Sequence, residues 1–253
     1  MSTLRLAVSG TYSSGKTTTA EALSVATGIP RTDALTAREI VVDLLPRKRF
    51  NELSAAELLL LGLRRFEERV QGETLAGGSF ISDGSVLHEW IYGAARLRVG
   101  LNPGAPLAHR VVKRLVGIPA KPYFRQYIDA YGRLTKDRAK RMYDRFVHLP
   151  VEFEMAADGH RPVSEDYRRV SDALLIEALE ELAIPYDVVG GTVRERVERI
   201  VELLGLPLVV PVDEAIAVAA DRIARSREMV AERALANQAP KSLGVRVRAA
   251  LHY

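Results

Sequence analysis

Cysteine is absent from the 253 residues. That excludes disulfides, thiolate metal sites and a cysteine nucleophile, and it fits a reducing cytoplasm. Long apolar runs are also missing. The longest, such as Leu58 to Leu63, fall far short of a membrane span. No charged-then-apolar leader precedes the first apolar run, so a cytoplasmic chain with no membrane partner is expected. The five histidines (His88, His109, His148, His160 and His252) show no metal-ligand spacing. No N-K-x-D run of the kind that reads guanine is found, which favours ATP over GTP. Internal repeats are lacking too. The remaining composition, 47% hydrophobic and 27% charged, is that of a globule with room for a full core.

What is present begins with Gly10-Thr11-Tyr12-Ser13-Ser14-Gly15-Lys16-Thr17, which fits G-x-x-x-x-G-K-[ST] at every fixed position. The apolar run Leu4–Ser9 before it reads as a buried strand, and Thr18–Thr27 after it reads as a helix. Strand, glycine loop and helix together supply a mechanism. Gly10 and Gly15 let successive N–H groups face inward as an anion nest, and the helix dipole points at the same place. Lys16 is expected to stand in solvent until it meets β/γ-phosphates. The Thr17 hydroxyl is expected on Mg²⁺, and Thr18 could donate to the α-phosphate. Tyr12, bulky for a loop tip, either shields the phosphates or lies exposed.

Further along, strand and helix signals alternate. Expected strands are Ile29–Thr32, Ser79–Ser82 ending at Asp83, Arg145–Leu149 and Pro185–Val189. Expected helices are Thr36–Leu45, Ser54–Gln71 with a Ser54/Glu57 capping box, Val86–Leu97, Arg138–Asp144, Asp166–Leu182 and Thr192–Leu204. Gly100–Pro106 and Pro119–Pro122 read as breaker-rich loops. The pattern predicts a three-layer α/β P-loop NTPase fold, nucleoside or nucleotide kinase-like, with a central parallel sheet. Residues 1–206 form the expected kinase domain, with a basic helical insertion at about 100–140. Residues 207–253 form a helix, Asp213–Ala234, and a basic tail outside the alternation, with room for a homodimer contact.

Ligands of parallel sheets sit at the carboxyl ends of the strands. Asp83 is placed there to hold Mg²⁺ or to take the proton of an attacking hydroxyl, with helix capping as the bland reading. Asp33 is a candidate for acceptor contact or base, with a turn residue as the bland reading, and Arg38 for an acceptor or phosphate contact. Trp90 and Tyr92 could line an acceptor pocket, though on an apolar helix face such residues are more often core. Gly191 and Thr192, after the last strand, are candidates for the nucleotide. In the polar loop Pro150–Pro162, Arg161 beside Gly159 could close over the transferring phosphoryl group, assisted by Arg168 or Arg169. From Tyr92 to Arg145 there are 13 Lys/Arg against three acids, an excess of +10 in a chain of net charge +4. Such a block suits an anionic partner or a solvated set of helix faces. Tyr123, Tyr127 and Tyr131, spaced i, i+4, i+8 within it, mark a packed helix face rather than a base-stacking surface, so nucleic acid is disfavoured.

Several segments resemble the ribosylnicotinamide kinase (NadR-like) P-loop family. These are Thr36-Ala37-Arg38-Glu39, Pro150-Val151-Glu152-Phe153, Asp158-Gly159-His160-Arg161, Tyr186 to Gly191 and Arg194-Glu195-Arg196. The resemblance spans roughly residues 3–205. It implies transfer of the ATP γ-phosphoryl group to a hydroxyl of a small nucleoside-like acceptor, with Lys16, Asp83 and Arg161 catalytic. The family's D-T-D after the third strand is here Asp83-Gly84-Ser85, one acid fewer. An ATP- or GTP-hydrolysing switch acting on a macromolecular partner is the alternative the residues leave open.

Overall fold

The computed structural model describes residues 3–46, 48, 53–99, 121–152 and 164–236. Five short strands form one sheet: β1 (Arg5–Ser9), β2 (Arg31–Thr32), β3 (Phe80–Asp83), β4 (Arg145–His148) and β5 (Tyr186–Val188). Their order across the sheet is β2-β3-β1-β4-β5. Each neighbouring pair is parallel. The described helices are α1 (Lys16–Thr27), α2 (Ala37–Leu44), α3 (Ala55–Ala76), α4 (Val86–Val99), α5 (Lys121–Met142), α6 (Glu165–Leu182), α7 (Val193–Leu204) and α8 (Val212–Ala236).

Alternation along the strands builds the layers. Ala7, Phe80 and Phe146 point to one face, where they meet Val86, Leu87, Ile91, Tyr167 and Leu175 from α4 and α6. Leu6, Val8, Ile81 and Val147 point to the other, against Leu23, Val197, Ile200 and Ala215 from α1, α7 and α8. Apolar side chains on both faces of every central strand are what a parallel sheet covered by helices requires. Each fully buried Leu, Ile or Phe contributes about 1.5–3 kcal/mol, so the two faces dominate the stability of the fold. A smaller cluster of Ile40, Val41, Leu53 and Leu61 fixes α2 to α3.

The parallel α/β architecture is thus as the sequence pattern predicts, and the strands fall within a residue or two of their expected limits. Helix lengths differ more. α3 runs on to Ala76, past Gln71, and ends only at Gly77 in the left-handed conformation (φ 65°). α5 is the larger correction. The sequence suggests a helix over Arg138–Asp144 and, within a basic helical insertion, a separate helix face at Tyr123, Tyr127 and Tyr131, with Pro119–Pro122 as a loop, yet one helix starts at Lys121 and joins them. Pro122 sits in its first turn, where a missing N–H costs nothing. α5 belongs to the core: Ile128, Tyr131 and Ala139 are buried. Tyr131 donates its hydroxyl to the Gly62 carbonyl at 2.9 Å. Tyr127 is half-buried, whereas Tyr123 is exposed.

Part of the basic excess of this region is met in space, and residues 100–120 of it lie outside the described residues. Arg138 pairs with buried Glu73 at 3.1 Å, Arg145 with Asp187 at 3.4 Å, Lys136 with Glu181 and Arg141 with Asp137. The first half of α8 packs on α1, burying Val212, Ala215 and Ala219. No described helix is long and apolar enough to cross a membrane.

Candidate functional site

β1 ends at Ser9, and the glycine loop turns directly into α1. Gly10 (φ 140°), Ser13 (φ 59°) and Gly15 (φ 86°) carry the positive φ values that curl it. A Cβ at Gly10 would lie 2.6 Å from the Leu149 carbonyl oxygen, so only glycine fits there. Four of the loop's carbonyls are held by hydrogen bonds. His88 Nε2 lies 3.1 Å from the Gly10 oxygen. Ser14 Oγ donates to the Thr11 oxygen at 3.0 Å. Arg196 donates to the Ser14 oxygen at 2.7 Å, and the Thr19 amide to the Gly15 oxygen at 3.0 Å.

The helix termini sharpen the picture. α2, α3 and α7 each begin with a capping box, Thr36/Glu39, Ser54/Glu57 and Thr192/Glu195, and α6 with a Ser164 cap. α1 begins at Gly15 with no side-chain cap and no acid in its first turn. Its first-turn amides are thereby left for an external acceptor, the arrangement an anion site needs.

Lys16 departs from its expected pose. Nζ is not in solvent but donates to the Thr11 carbonyl at 2.5 Å, part-buried, because a loop carbonyl is the nearest acceptor for an ammonium folded back on its own loop. Thr17 is exposed and Thr18 half-buried at the start of α1. Tyr12 is neither free nor over the loop mouth alone. Its ring stacks on Tyr92 (centroids 4.5 Å apart) and lies 6.1 Å from Tyr167. This ties the loop tip to α4 and α6. Burial, and then the neighbouring Tyr12 and Tyr167, push the Tyr92 phenol well above its ordinary pKa, so it stays neutral.

His88, which sequence reasoning passed over, connects the loop to the turn after β3. Its Nδ1 accepts the Ser85 amide at 3.0 Å, so Nε2 carries the proton donated to Gly10. Burial, with Lys16 and Arg69 adding to it, holds the ring's pKa far below the usual histidine range. No spacing rule marks such a residue. Its role depends on β3 lying beside β1.

Val8 pairs with Asp83 and Thr32 with Ser82 in register, so Asp83 and Asp33 end adjacent strands next to the loop. Arg31 joins them, at 3.4 Å from Asp83 and 2.8 Å from Asp33, and also reaches Glu21 at 2.6 Å. Glu21 in turn meets Arg222 of α8 at 2.9 Å. Asp33 keeps 53% of its side-chain surface open. Even so, the surrounding protein raises its carboxyl pKa by desolvation, opposed by Arg31 and reinforced by Asp83. Behind them, Glu89 accepts from Arg65 at 2.7 Å and from Arg69 at 3.3 Å, and Arg69 also donates to the Asp83 carbonyl at 3.1 Å. Nothing in the sequence singles out Arg31 on β2 or Arg65, Arg69 and Glu89 on α3 and α4, since isolated charges carry no pattern of their own.

The other expected residues are spread out. Arg38 is exposed on α2. Trp90 faces α5: a Cβ on Gly132 would come within 2.7 Å of its indole nitrogen, and Lys136 lies 4.9 Å above its ring. Gly191 donates its amide to Glu152 at 3.0 Å, and the Thr192 hydroxyl caps α7. Arg168 is fully buried and paired with Glu165, whereas Arg169 is exposed and paired with Asp166. Arg161 lies outside the described residues, with Asp158, Gly159 and His160. Among the described residues no group of three or more His, Asp or Glu side chains is arranged to hold a metal.

A parallel sheet, a glycine-cradled loop opening an uncapped helix and acids at the adjoining strand ends define a P-loop nucleotide-binding protein with the fold of the nucleoside kinases. The chain belongs to the AAA domain family, whose model matches residues 5–196. Among solved structures it is similar to deoxyadenosine kinase from M. mycoides. The form with bound dATP matches with a TM-score of 0.55 and 16% identity, over 80% of this chain and 100% of that one. The form with bound dCTP gives 0.53 and 16%, over 80% and 99%. The NadR protein in complex with NR gives 0.49 and 18%, over 82% of this chain and 53% of that one. No curated protein matches.

Proposed function

We propose that the protein is an ATP-dependent phosphotransferase that moves the γ-phosphoryl group to a hydroxyl of a small, nucleoside-like acceptor. The observation that carries this reading is the juxtaposition of two features. An uncapped α1 and its hydrogen-bonded loop stand beside two carboxylates, Asp33 and Asp83, on neighbouring strand ends. A phosphate cradle alone suits any nucleotide binder. A cradle with two acids next to it suits transfer to a hydroxyl, because one acid can serve the metal and the other the proton.

The donor set fits Mg²⁺, which prefers one or two protein oxygens and completes its shell with water and phosphate. The exposed Thr17 hydroxyl and the Asp83 carboxylate are such oxygens. Asp83 meets Arg31 through Oδ2, and Oδ1 has no hydrogen-bond partner among the described residues. When bound, the ion neutralises charge on the β- and γ-phosphates. Lys16 leaves Thr11 to pair with those phosphates. Asp33, open and with its pKa raised, accepts the acceptor's proton, and Arg38 offers a nearby cation on α2. Tyr92, joined to the loop tip through Tyr12, borders the acceptor side. Gly191 and Thr192 border the nucleotide from the β5–α7 turn, and Arg161 supplies charge to the transferring group. The test is a panel of nucleosides and sugars assayed for acceptor-dependent ADP release, with the phosphorylated product identified. ADP release that no acceptor accelerates counts against the proposal.

A further inference from the structure

We infer that Arg196 is a positioning residue that sets the direction of the Gly15 amide in the phosphate loop. This inference rests on the loop's proposed role as a phosphate site, and it concerns how that site is shaped before anything binds. Arg196 lies in the first turn of α7, 1% exposed. It reaches the loop from α7, which packs on the same face of the sheet as α1, 182 residues away in sequence. One guanidinium nitrogen donates to the Ser14 carbonyl at 2.7 Å, and another to Glu152 at 2.6 Å.

The geometry of the peptide unit does the rest. Every described peptide bond is trans. In a planar trans peptide the C=O of one residue and the N–H of the next point in opposite directions. Fixing the Ser14 oxygen on Arg196 therefore turns the Gly15 N–H the other way, into the concave side of the loop. The Ser14–Gly15 peptide flanks a residue at φ 86°, a conformation open to glycine, and without the arginine it could rotate. Arg196 also occupies the space that a Gly15 side chain would need, 2.9 Å from a Cβ built there.

The arginine itself is held. Glu152 accepts from Arg196 and also from the Gly191 amide, at 3.0 Å through each oxygen. Those bonds, Arg196 first, keep the Glu152 carboxyl below its usual pKa and therefore charged. The Arg196 amide donates to the Thr192 carbonyl at 2.9 Å. Arginine, glutamate and β5–α7 turn thus close a ring of hydrogen bonds, to which the loop is attached through the Ser14 carbonyl.

The experiment titrates ¹⁵N-labelled protein with inorganic pyrophosphate and compares wild type with Arg196→Met and Arg196→Lys. Arg196→Met keeps the length of the side chain and removes its donors. It should shift the Gly15 amide resonance in the free protein and weaken pyrophosphate binding about 10-fold or more, the worth of a charged hydrogen bond. Arg196→Lys, with a donor restored, should recover part of both. A purely structural role would lower the melting temperature of Arg196→Met while leaving affinity and the Gly15 resonance in place at low temperature. A folded Arg196→Met with both within twofold of wild type overturns the inference. Should that variant fail to fold, Glu152→Gln decides. It should weaken pyrophosphate about threefold, and no change refutes the ring. Wild-type protein that ignores both pyrophosphate and ATP would instead sink the proposed function. The Gly15 shift between wild type and Arg196→Met would still report on the peptide.

Discussion

Around the phosphate loop, each of the Gly10, Thr11, Ser14 and Gly15 carbonyls has a partner at 2.5–3.1 Å, drawn from α1, α4, α7 or the loop itself. On the opposite side of the cleft, Asp33 and Asp83 share one guanidinium, and Asp33 and Arg38 stand open. The first region is backbone held in place by side chains and one amide, the second a set of ion pairs between side chains. A backbone cradle is fixed before ligand arrives and admits any nucleotide phosphate. A charge cluster at an open mouth can be retuned by single substitutions without disturbing the fold. On the proposed reading, phosphate binding would rest on the first side and acceptor choice on the second.

If that contrast holds, damage to the cradle should be the most severe. Gly10→Ala forces a Cβ against the Leu149 carbonyl in a left-handed-type conformation. It should cost about 3 kcal/mol or more in chemical denaturation and abolish nucleotide binding. Lys16→Ala should remain folded, losing about 1 kcal/mol for the bond to Thr11, while turnover falls by on the order of 10²-fold or more. Normal ATP affinity and turnover in that variant would remove the loop from the chemistry. Asp83→Asn, on the other side, should spare ATP binding and cut turnover on the order of 10²-fold. A variant that only melts earlier would make Asp83 a structural partner of Arg31.

A subtler effect follows from His88. Its pKa lies far below the roughly 6.5 of an unfolded histidine. Above about pH 6.5 both states are neutral and this group contributes its full share. As pH falls below that, the unfolded chain takes up a proton that the folded one refuses. Stability then declines by up to about 1.4 kcal/mol per pH unit until the folded pKa is reached. His88→Gln should flatten that acid limb in denaturation measured between pH 4.5 and 7. An unchanged slope would mean that the ring charges in place.

The smallest effect should come from the basic segment. Neutralising Lys136, Lys140 and Arg141 together should move stability by less than about 1 kcal/mol, since exposed pairs contribute little. The acceptor KM should hold at low salt, because Glu181 and Asp137 already meet two of the three charges. A KM that rises and recovers with added salt would restore the anion-recruiting role.

The same contrast explains what the sequence discloses. The loop is legible because its chemistry sits in eight consecutive residues, from Gly10 to Thr17, between a strand and a helix. The alternation of strands and helices is legible because the central strands are largely apolar runs closed by glycine, proline or a capping residue. Arg196 and His88 are not legible: they act on the loop from 182 and 78 residues away, and only the parallel strand order brings them there. Arg31 is hidden for the same reason, lying beside a loop-forming Asp33 with its other partners on α1 and β3. The length of α5 was missed because Pro122 reads as a breaker, whereas at the start of a helix it is compatible with the first turn.

The central claim, phosphoryl transfer to a hydroxyl, is tested most directly by ³¹P NMR of the protein with Mg²⁺-ATP and a panel of nucleosides. The account predicts a new phosphomonoester resonance that grows in step with ADP for at least one nucleoside and vanishes in Lys16→Ala. Accumulation of ADP and inorganic phosphate alone, at one rate with every nucleoside and with none, would contradict it.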